Sequence, residues 1–211
     1  GTTVNRKLLT NRIPSGANFV SGNTQLQAIT LDYLTTAALD PARGYLMALL
    51  GYDVDPTTPA GLAKITKAKL SAVAPPAELR QVGAVMHSSP LLLTSQGKIT
   101  YNDSTGELGS EQRNDYVVFG TTQGVLHAVD ADTGIEKFAF VPNEIIENQK
   151  LAFLKPEMGS AGLGSMFYGI DAPWTVYSEY VLDNSGKLTV GTGLNAEKGA
   201  QNIYGGLRMG G

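Results

Sequence analysis

At 211 residues the chain is long enough to bury a core as one or two domains, and its 42% hydrophobic and 17% charged composition excludes a collagen, a coiled coil or a disordered chain. Its 25 Gly and 10 Pro point to many turns and short elements. A net charge of −3 supplies no electrostatic footprint for a polyanion, so nucleic acid is excluded as a partner, and the absence of cysteine excludes thiolate nucleophiles, zinc–thiolate sites, redox pairs and disulfides.

No window approaches the ~18 consecutive apolar residues of a membrane span, and the most apolar short run, Tyr45 to Leu50, ends at Gly51. The chain opens on Gly1-Thr2-Thr3 and ends in Gly210-Gly211, which reads as a segment of a longer protein. Before Thr30 the Gly, Asn, Ser and Thr content predicts loop. From Thr30 to Ala72 the spacing is helical: Leu31, Leu34 and Ala38 share a face. Asp40 before Pro41 is a helix start with Gly51 placed as its stop. Thr58-Pro59 repeats the start signal for a helix carrying Leu62, Ile65 and Leu70, ended by Pro75-Pro76.

Near residue 80 the period changes. Val82 to Met86 and Leu91 to Thr94 are predicted strands around His87-Ser88-Ser89-Pro90, the proline suiting a strand's first residue and marking an edge or entry strand. Tyr101 to Asp115 is polar and turn-rich and predicts a surface loop or insertion. Tyr116 to Phe140 holds three apolar runs separated by Gly-containing turns, an antiparallel meander. In its second turn Asp130 accepts from turn amides beside Thr133 and Gly134 supplies positive φ; Gly124 serves the first turn. A second hairpin is predicted from Thr175 to Leu182 and Lys187 to Val190, joined by Asp183-Asn184-Ser185-Gly186, and the chain ends while entering another strand.

Strand–turn–strand units with an Asp-x-x-Thr-Gly turn resemble blades of quinoprotein-like β-propellers. The combination His87-Ser88-Ser89-Pro90, then YVVFGTTQGVLHAVDADTGIEKFAFVP at 116–142, then Tyr168-Gly169-Ile170-Asp171-Ala172-Pro173 resembles the propeller domain of the PilC/PilY family of type IV pilus tip adhesins and biogenesis factors of Gram-negative bacteria. The resemblance covers 79–211. It implies a mainly β fold: a partial β-propeller of antiparallel blades, not closed in this chain, over 81–211, preceded by a loop and α-helical lead-in over 1–80. Blades take ~40 to 45 residues and propellers hold about 4 to 8 of them, so the ring stays open and the isolated piece is expected to associate, aggregate or borrow a strand.

The family's EF-hand-like calcium loop has no equivalent here. Such a loop needs acidic ligands at its first, third and fifth positions, Gly at the sixth and Glu at the twelfth. Registers starting at Asp130, Asp53 and Asp103 place Ile135, Thr58 and Leu108 at the sixth and Val141, Lys64 and Asn114 at the twelfth. No cofactor or metal is expected in this chain, and calcium belongs, by resemblance, to the rest of the full-length protein.

The other candidates each have a structural alternative. His127 alternates with Val125 and Val129 and reads as a packed sheet residue. His87 beside Ser88 offers a base and a nucleophile, but adjacent strand side chains point to opposite faces. Asp132 beside Asp130 reads as solvated rather than as part of a cation site. Phe138 sits five residues after Thr133, where quinoprotein blades carry a docking Trp, and reads as packing between blades. Trp174, the only tryptophan, also reads as packing, with exposure as the sign of binding.

The resemblance implies a non-enzymatic scaffold, exported to the pilus tip, outer membrane or cell surface. Its implied partners are minor pilins and the type IV pilus machinery, a host cell or abiotic surface, and the remaining propeller blades. A pyrroloquinoline quinone-dependent dehydrogenase shares the blade architecture but needs converging Arg, Lys, Glu and Asn side chains and a metal at the axis, a set not assembled from strand positions here. An outer-membrane assembly scaffold is a third reading.

Overall fold

The computed structural model describes residues 6–15, 18–22, 25–36, 40–75, 82–154 and 167–207. The chain is mainly β, and its centre is an antiparallel meander of four strands: β5 (Leu91–Asn102), β6 (Glu107–Gly120), β7 (Leu126–Asp130) and β8 (Glu136–Val141). Register runs through Val118↔Ala128 and Ala128↔Phe138, so the apolar runs of 116–140 lie side by side. Val118, Val125, Leu126, Ala128, Ala139 and Val141 are buried, and β-branched and small apolar residues suit strands covered on both faces.

The lead-in is not only loop and helix. β1 (Leu8–Thr10) runs parallel to β8, with Leu8↔Ala139 and Thr10↔Val141, and β4 (Gln27–Ala28) pairs antiparallel to β1. β2 (Arg12–Ser15) and β3 (Asn18–Ser21) form a separate ribbon. Polar composition predicted loop before Thr30, yet the free edge of β8 supplies the hydrogen bonds that make Leu8–Thr10 a strand. Among the described residues the large sheet is therefore mixed and has eight strands. Helix α1 (Tyr33–Thr36) is one turn long, and Ala38 lies outside the described residues.

Helix α2 (Arg43–Leu49) ends as expected at Gly51, whose φ is +97°. Tyr52 N–H reaches back to Met47 C=O at 3.1 Å, the wide bond of a Schellman end. The single helix expected after Thr58-Pro59 is instead two short ones, α3 (Pro59–Leu62) and α4 (Lys67–Ser71). Thr58 and Thr66 each cap one, accepting from Gly61 N–H at 3.0 Å and Lys69 N–H at 3.3 Å. A second threonine cap inside the apolar period restarts the helix, and Leu62 is left exposed while Ile65 and Leu70 are buried. Pro76 lies outside the described residues.

Three further expectations change. Val82 to Met86 is not a strand: Val82, Val85 and Met86 are exposed, and the Met86 amide is used by Asp171 rather than by a ladder. Tyr101 to Asp115 is not a loop beyond residues 103–106: from Glu107 it is strand β6, paired along β5 from Asn102↔Glu107 to Thr94↔Asp115. Its polarity reflects solvent on both faces, not lack of pairing. The second hairpin divides at Tyr180. Only β10 (Val181–Leu182) and β11 (Leu188–Thr189) form it, and β11 joins β5 at Gln96 and Gly97. Upstream, β9 (Thr175–Glu179) leaves to pair with β12 (Ala200–Tyr204) in a two-stranded sheet.

Helix α5 (Asn143–Gln149) and the 3-10 turn Lys150–Phe153 follow β8. Ile145, Ile146 and Phe153 pack with Leu46, Met47 and Leu50 of the α2 region and with Leu8, Val118, Val125 and Ile170 in one apolar cluster. Burial of this cluster joins the lead-in to the meander.

Candidate functional site

Two polar centres hold chain segments far apart in sequence. The first is a junction of the three quoted motifs. The Asp171 side chain, 1% exposed, lies under the turn at 86–88. Its carboxylate accepts from the backbone N–H groups of Met86 at 3.0 Å, His87 at 3.0 Å and Ser88 at 2.8 Å, and its Oδ2 lies 3.0 Å from His87 Nδ1. Burial alone would push the Asp171 carboxyl up, but these donors outweigh it and hold it below the usual aspartate range.

Ser88 closes the second side of the junction. Its Oγ accepts from Gly120 N–H at 2.9 Å, where β6 ends. The turn Thr121 to Gly124 then meets Gly169 backbone to backbone: a Cβ at Gly169 would stand 2.4 Å from Thr121 O and 2.5 Å from Gly124 N, and its φ is +51°. Trp174 Nε1 donates to Ile170 C=O at 3.1 Å, and Gly205 lies against the indole ring. Trp174 is half-buried and packs on the core.

This geometry joins; it does not assemble a Ser–His pair. Ser88 is 6% exposed and turned to Gly120, whereas His87 Nδ1 faces Asp171. A nucleophile needs its base within hydrogen-bond reach, and no Ser88–His87 bond occurs among the described residues. Nor, among them, does any group of three or more His, Cys, Asp or Glu stand together as a metal site.

The Asp130 turn lies at the exposed β7–β8 connection. Asp130 Oδ1 accepts from Thr133 N–H at 2.9 Å and from Thr133 Oγ1–H at 2.7 Å, and Lys137 Nζ is 3.1 Å from Oδ2. The Thr133 hydroxyl and then Lys137 hold the Asp130 carboxyl down to about 2. Asp132 is exposed. Gly134 has φ +70° with nothing within 4 Å of a Cβ, whereas Gly124 has φ +89° and a Cβ there would stand 2.2 Å from Ile145 Cγ2. Gly134→Val is therefore expected to cost the left-handed strain alone, ~1 to 2 kcal/mol. Gly124→Ala adds a collision with helix α5, and its thermal midpoint should fall further than that of Gly134→Val; equal midpoints would contradict the packing of Ile145 on this turn.

His127, 1% exposed, stacks on Phe119 at 5.2 Å between ring centres, and its Nδ1 lies 2.7 Å from Glu136 Oε2. Arg6 Nε donates to Glu136 Oε1 at 2.8 Å and Arg6 Nη1 to Leu49 C=O at 2.9 Å, tying the lead-in to β8 and α2. Burial pushes the Glu136 carboxyl up, and His127 and Arg6 more than reverse this. His127 Nε2 has no hydrogen-bond partner among the described residues. Phe138 is half-buried against the core.

The second centre was not legible as such in the sequence. Arg12, 1% exposed, donates through Nε and Nη2 to the two oxygens of Asp40 at 2.9 and 2.6 Å, through Nη1 to Asn143 Oδ1 at 2.6 Å, and to Glu147. Tyr33 Oη–H donates to Asp40 Oδ2 at 2.6 Å, Ala42 N–H to Oδ1 at 2.9 Å, and the Phe19 ring lies 4.4 Å from the guanidinium carbon. Burial lowers Arg12 basicity, but Asp40 and Glu147 more than restore it, leaving it raised. Burial likewise pushes the Asp40 carboxyl up, and the bonds from Arg12, Tyr33 and Ala42 outweigh it, so it is held below its ordinary value. Helix α2 begins at Arg43 with Ala42, not Asp40, at its N-cap and Pro41 still in the preceding turn; Asp40 instead braces that turn through Ala42 N–H and at the same time neutralises Arg12. A fully buried bidentate pair uses arginine's planar fork, and a lone Arg in a polar segment carries no sequence signal for it.

No protein-family model and no solved structure matches the chain. Among curated proteins it is similar to the type IV pilus biogenesis factor PilY1 of Pseudomonas aeruginosa, 32% identical over 75 residues. That stretch is 31% of this chain and 6% of PilY1, so the chain spans only a small part of the length of the relative it matches.

Proposed function

We propose that this chain is a segment of a type IV pilus tip-associated adhesin and assembly factor, a non-enzymatic propeller scaffold that promotes pilus biogenesis and attachment to cells or surfaces. The similarity to PilY1 carries this reading, and the architecture supports it. β5 follows His87-Ser88-Ser89-Pro90, and β9 follows Asp171-Ala172-Pro173-Trp174 in the same manner, each after a proline-bearing turn. The β5–β8 meander is then one blade, and β9 with β12 the opening pair of the next. Asp171 locks the turn before one blade to the turn before the other. Minor pilins and the pilus machinery are the partners, and the location is the exported surface at the pilus tip. Among the described residues no helix is long and apolar enough to cross a membrane.

The test is deletion of the coding region in the organism that carries it. Surface piliation and attachment are expected to fall and to return with the wild-type gene. Normal pili and normal attachment in the deletion strain would overturn the proposal, and so would quinone-dependent dye reduction with alcohols or sugars by the purified full-length protein, which would make it a dehydrogenase.

A further inference from the structure

The β5–β6 ribbon extends past the rest of the sheet. β11 reaches β5 only at Gln96 and Gly97, and β7 reaches β6 only from Tyr116 onward, with Ala131 N–H bonded to Asp115 C=O. The pairs from Lys98↔Glu111 to Asn102↔Glu107 therefore have both outer edges open among the described residues. Register shifts at Thr94/Gln96 and Gln96/Lys98, and Gln112 at φ +51°, set this segment off from the sheet.

The ribbon has two unlike faces. Cross-strand partners share a face, so Ile99, Tyr101, Leu108 and Ser110 lie on one side and Lys98, Asn102, Glu107 and Glu111 on the other. Ile99, Tyr101 and Leu108 are 59%, 61% and 76% exposed, three large apolar side chains in one solvent-facing cluster. Lys98 Nζ is 3.7 Å from Glu111 Oε1, an exposed pair of little strength, so the polar face carries two acids against one base.

We propose that the open edge of β6 at Glu107–Glu111 is a strand-addition site for an extended segment of a partner protein that carries basic residues at both ends of a five-residue stretch and apolar residues at its second and fourth positions. A strand paired there sets its first, third and fifth residues across from the face of Glu107, Gly109 and Glu111 and its second and fourth across from Leu108 and Ser110. The backbone supplies the hydrogen bonds, Leu108 with Tyr101 the apolar contact, and the two glutamates the selection. Charge decides against a second copy: antiparallel pairing of two β6 edges would place Glu107 of one against Glu111 of the other, like charges directly opposite. The β5 edge offers no acid on its polar face and so no reason to choose a basic segment.

The experiment uses the full chain with two fluorescent probe peptides, each two repeats of Lys-Val-Thr-Val-Lys or of Glu-Val-Thr-Val-Glu, read by anisotropy. The basic probe is expected to bind at least about tenfold more tightly than the acidic one, with the difference shrinking at high salt. Leu108→Ser and the double variant Glu107→Gln with Glu111→Gln should each weaken the basic probe about tenfold, with unchanged circular dichroism because these side chains are solvent-exposed and no like charge is set opposite Lys98. N-methylation of the probe's central amides should abolish binding. Equal binding of both probes, no binding, an active N-methylated probe, or variants that bind as wild type would each overturn the site. Concentration-dependent dimers in light scattering that the Leu108 variant abolishes would assign the edge to a second copy instead and overturn the proposal.

Discussion

Asp40→Ala is expected to lower the stability of the chain by ~3 to 5 kcal/mol, because it leaves the buried Arg12 guanidinium short of its bidentate partner. The same change deprives the Tyr33 hydroxyl and the Ala42 N–H of their acceptor. For a chain of this size that is a fall of about 6 to 20 °C in thermal midpoint. Replacing Arg12 and Asp40 together by Met and Leu should cost much less than Asp40→Ala, since no charge is then left buried without its partner. A double variant as unstable as the single one would show that the Tyr33 and Ala42 donors left without an acceptor, rather than the loss of the Arg12 guanidinium's bidentate partner, govern the effect. The pair also predicts acid sensitivity. Asp40 is held below its ordinary value in the folded chain, so its contribution is complete above the ordinary aspartate range and is lost as pH falls through the lower folded value. Asp40→Asn should flatten this part of the acid-unfolding curve.

Asp171→Ala is expected to cost ~3 kcal/mol or more, the sum of several backbone donors left without an acceptor at ~1 kcal/mol or more each. Met86, His87 and Ser88 all donate to this one carboxylate. Asp171→Asn keeps one acceptor oxygen but presents an NH₂ group to the remaining donors, so it should fall between wild type and Ala. Hydrogen exchange provides the local reading: the amides of 86–88 should lose protection in Asp171→Ala while those of β7 keep theirs. Loss spread evenly over the sheet would mean that Asp171 stabilises the fold as a whole rather than this junction. Like Asp40, Asp171 has a lowered value, so its contribution too disappears on the acid side.

Local signals were legible where they act locally. The three apolar runs of Tyr116 to Phe140 and the turn residues Asp130 and Gly134 specify a meander whose neighbours in space are neighbours in sequence. The stop at Gly51 and the cap at Thr58 also act within one turn of chain. Where an outcome depended on distant partners, composition misled. Leu8–Thr10 is a strand because β8 has a free edge, Glu107–Asp115 because β5 runs beside it, and Thr175–Glu179 leaves its expected hairpin because β12 competes for it.

The sequence by itself determined a central meander, Gly-bearing turns, and three motifs in a fixed order, since periodicity and turn chemistry are properties of short windows. Only the tertiary structure decided what the motifs do to one another. Asp171 was a letter in a motif until folding placed it under amides of 86–88, and Asp40 was a helix start until Arg12 arrived from 28 residues away. Buried ion pairs and shared carboxylates depend on which segments meet, and desolvation makes their geometry decisive only once they have met.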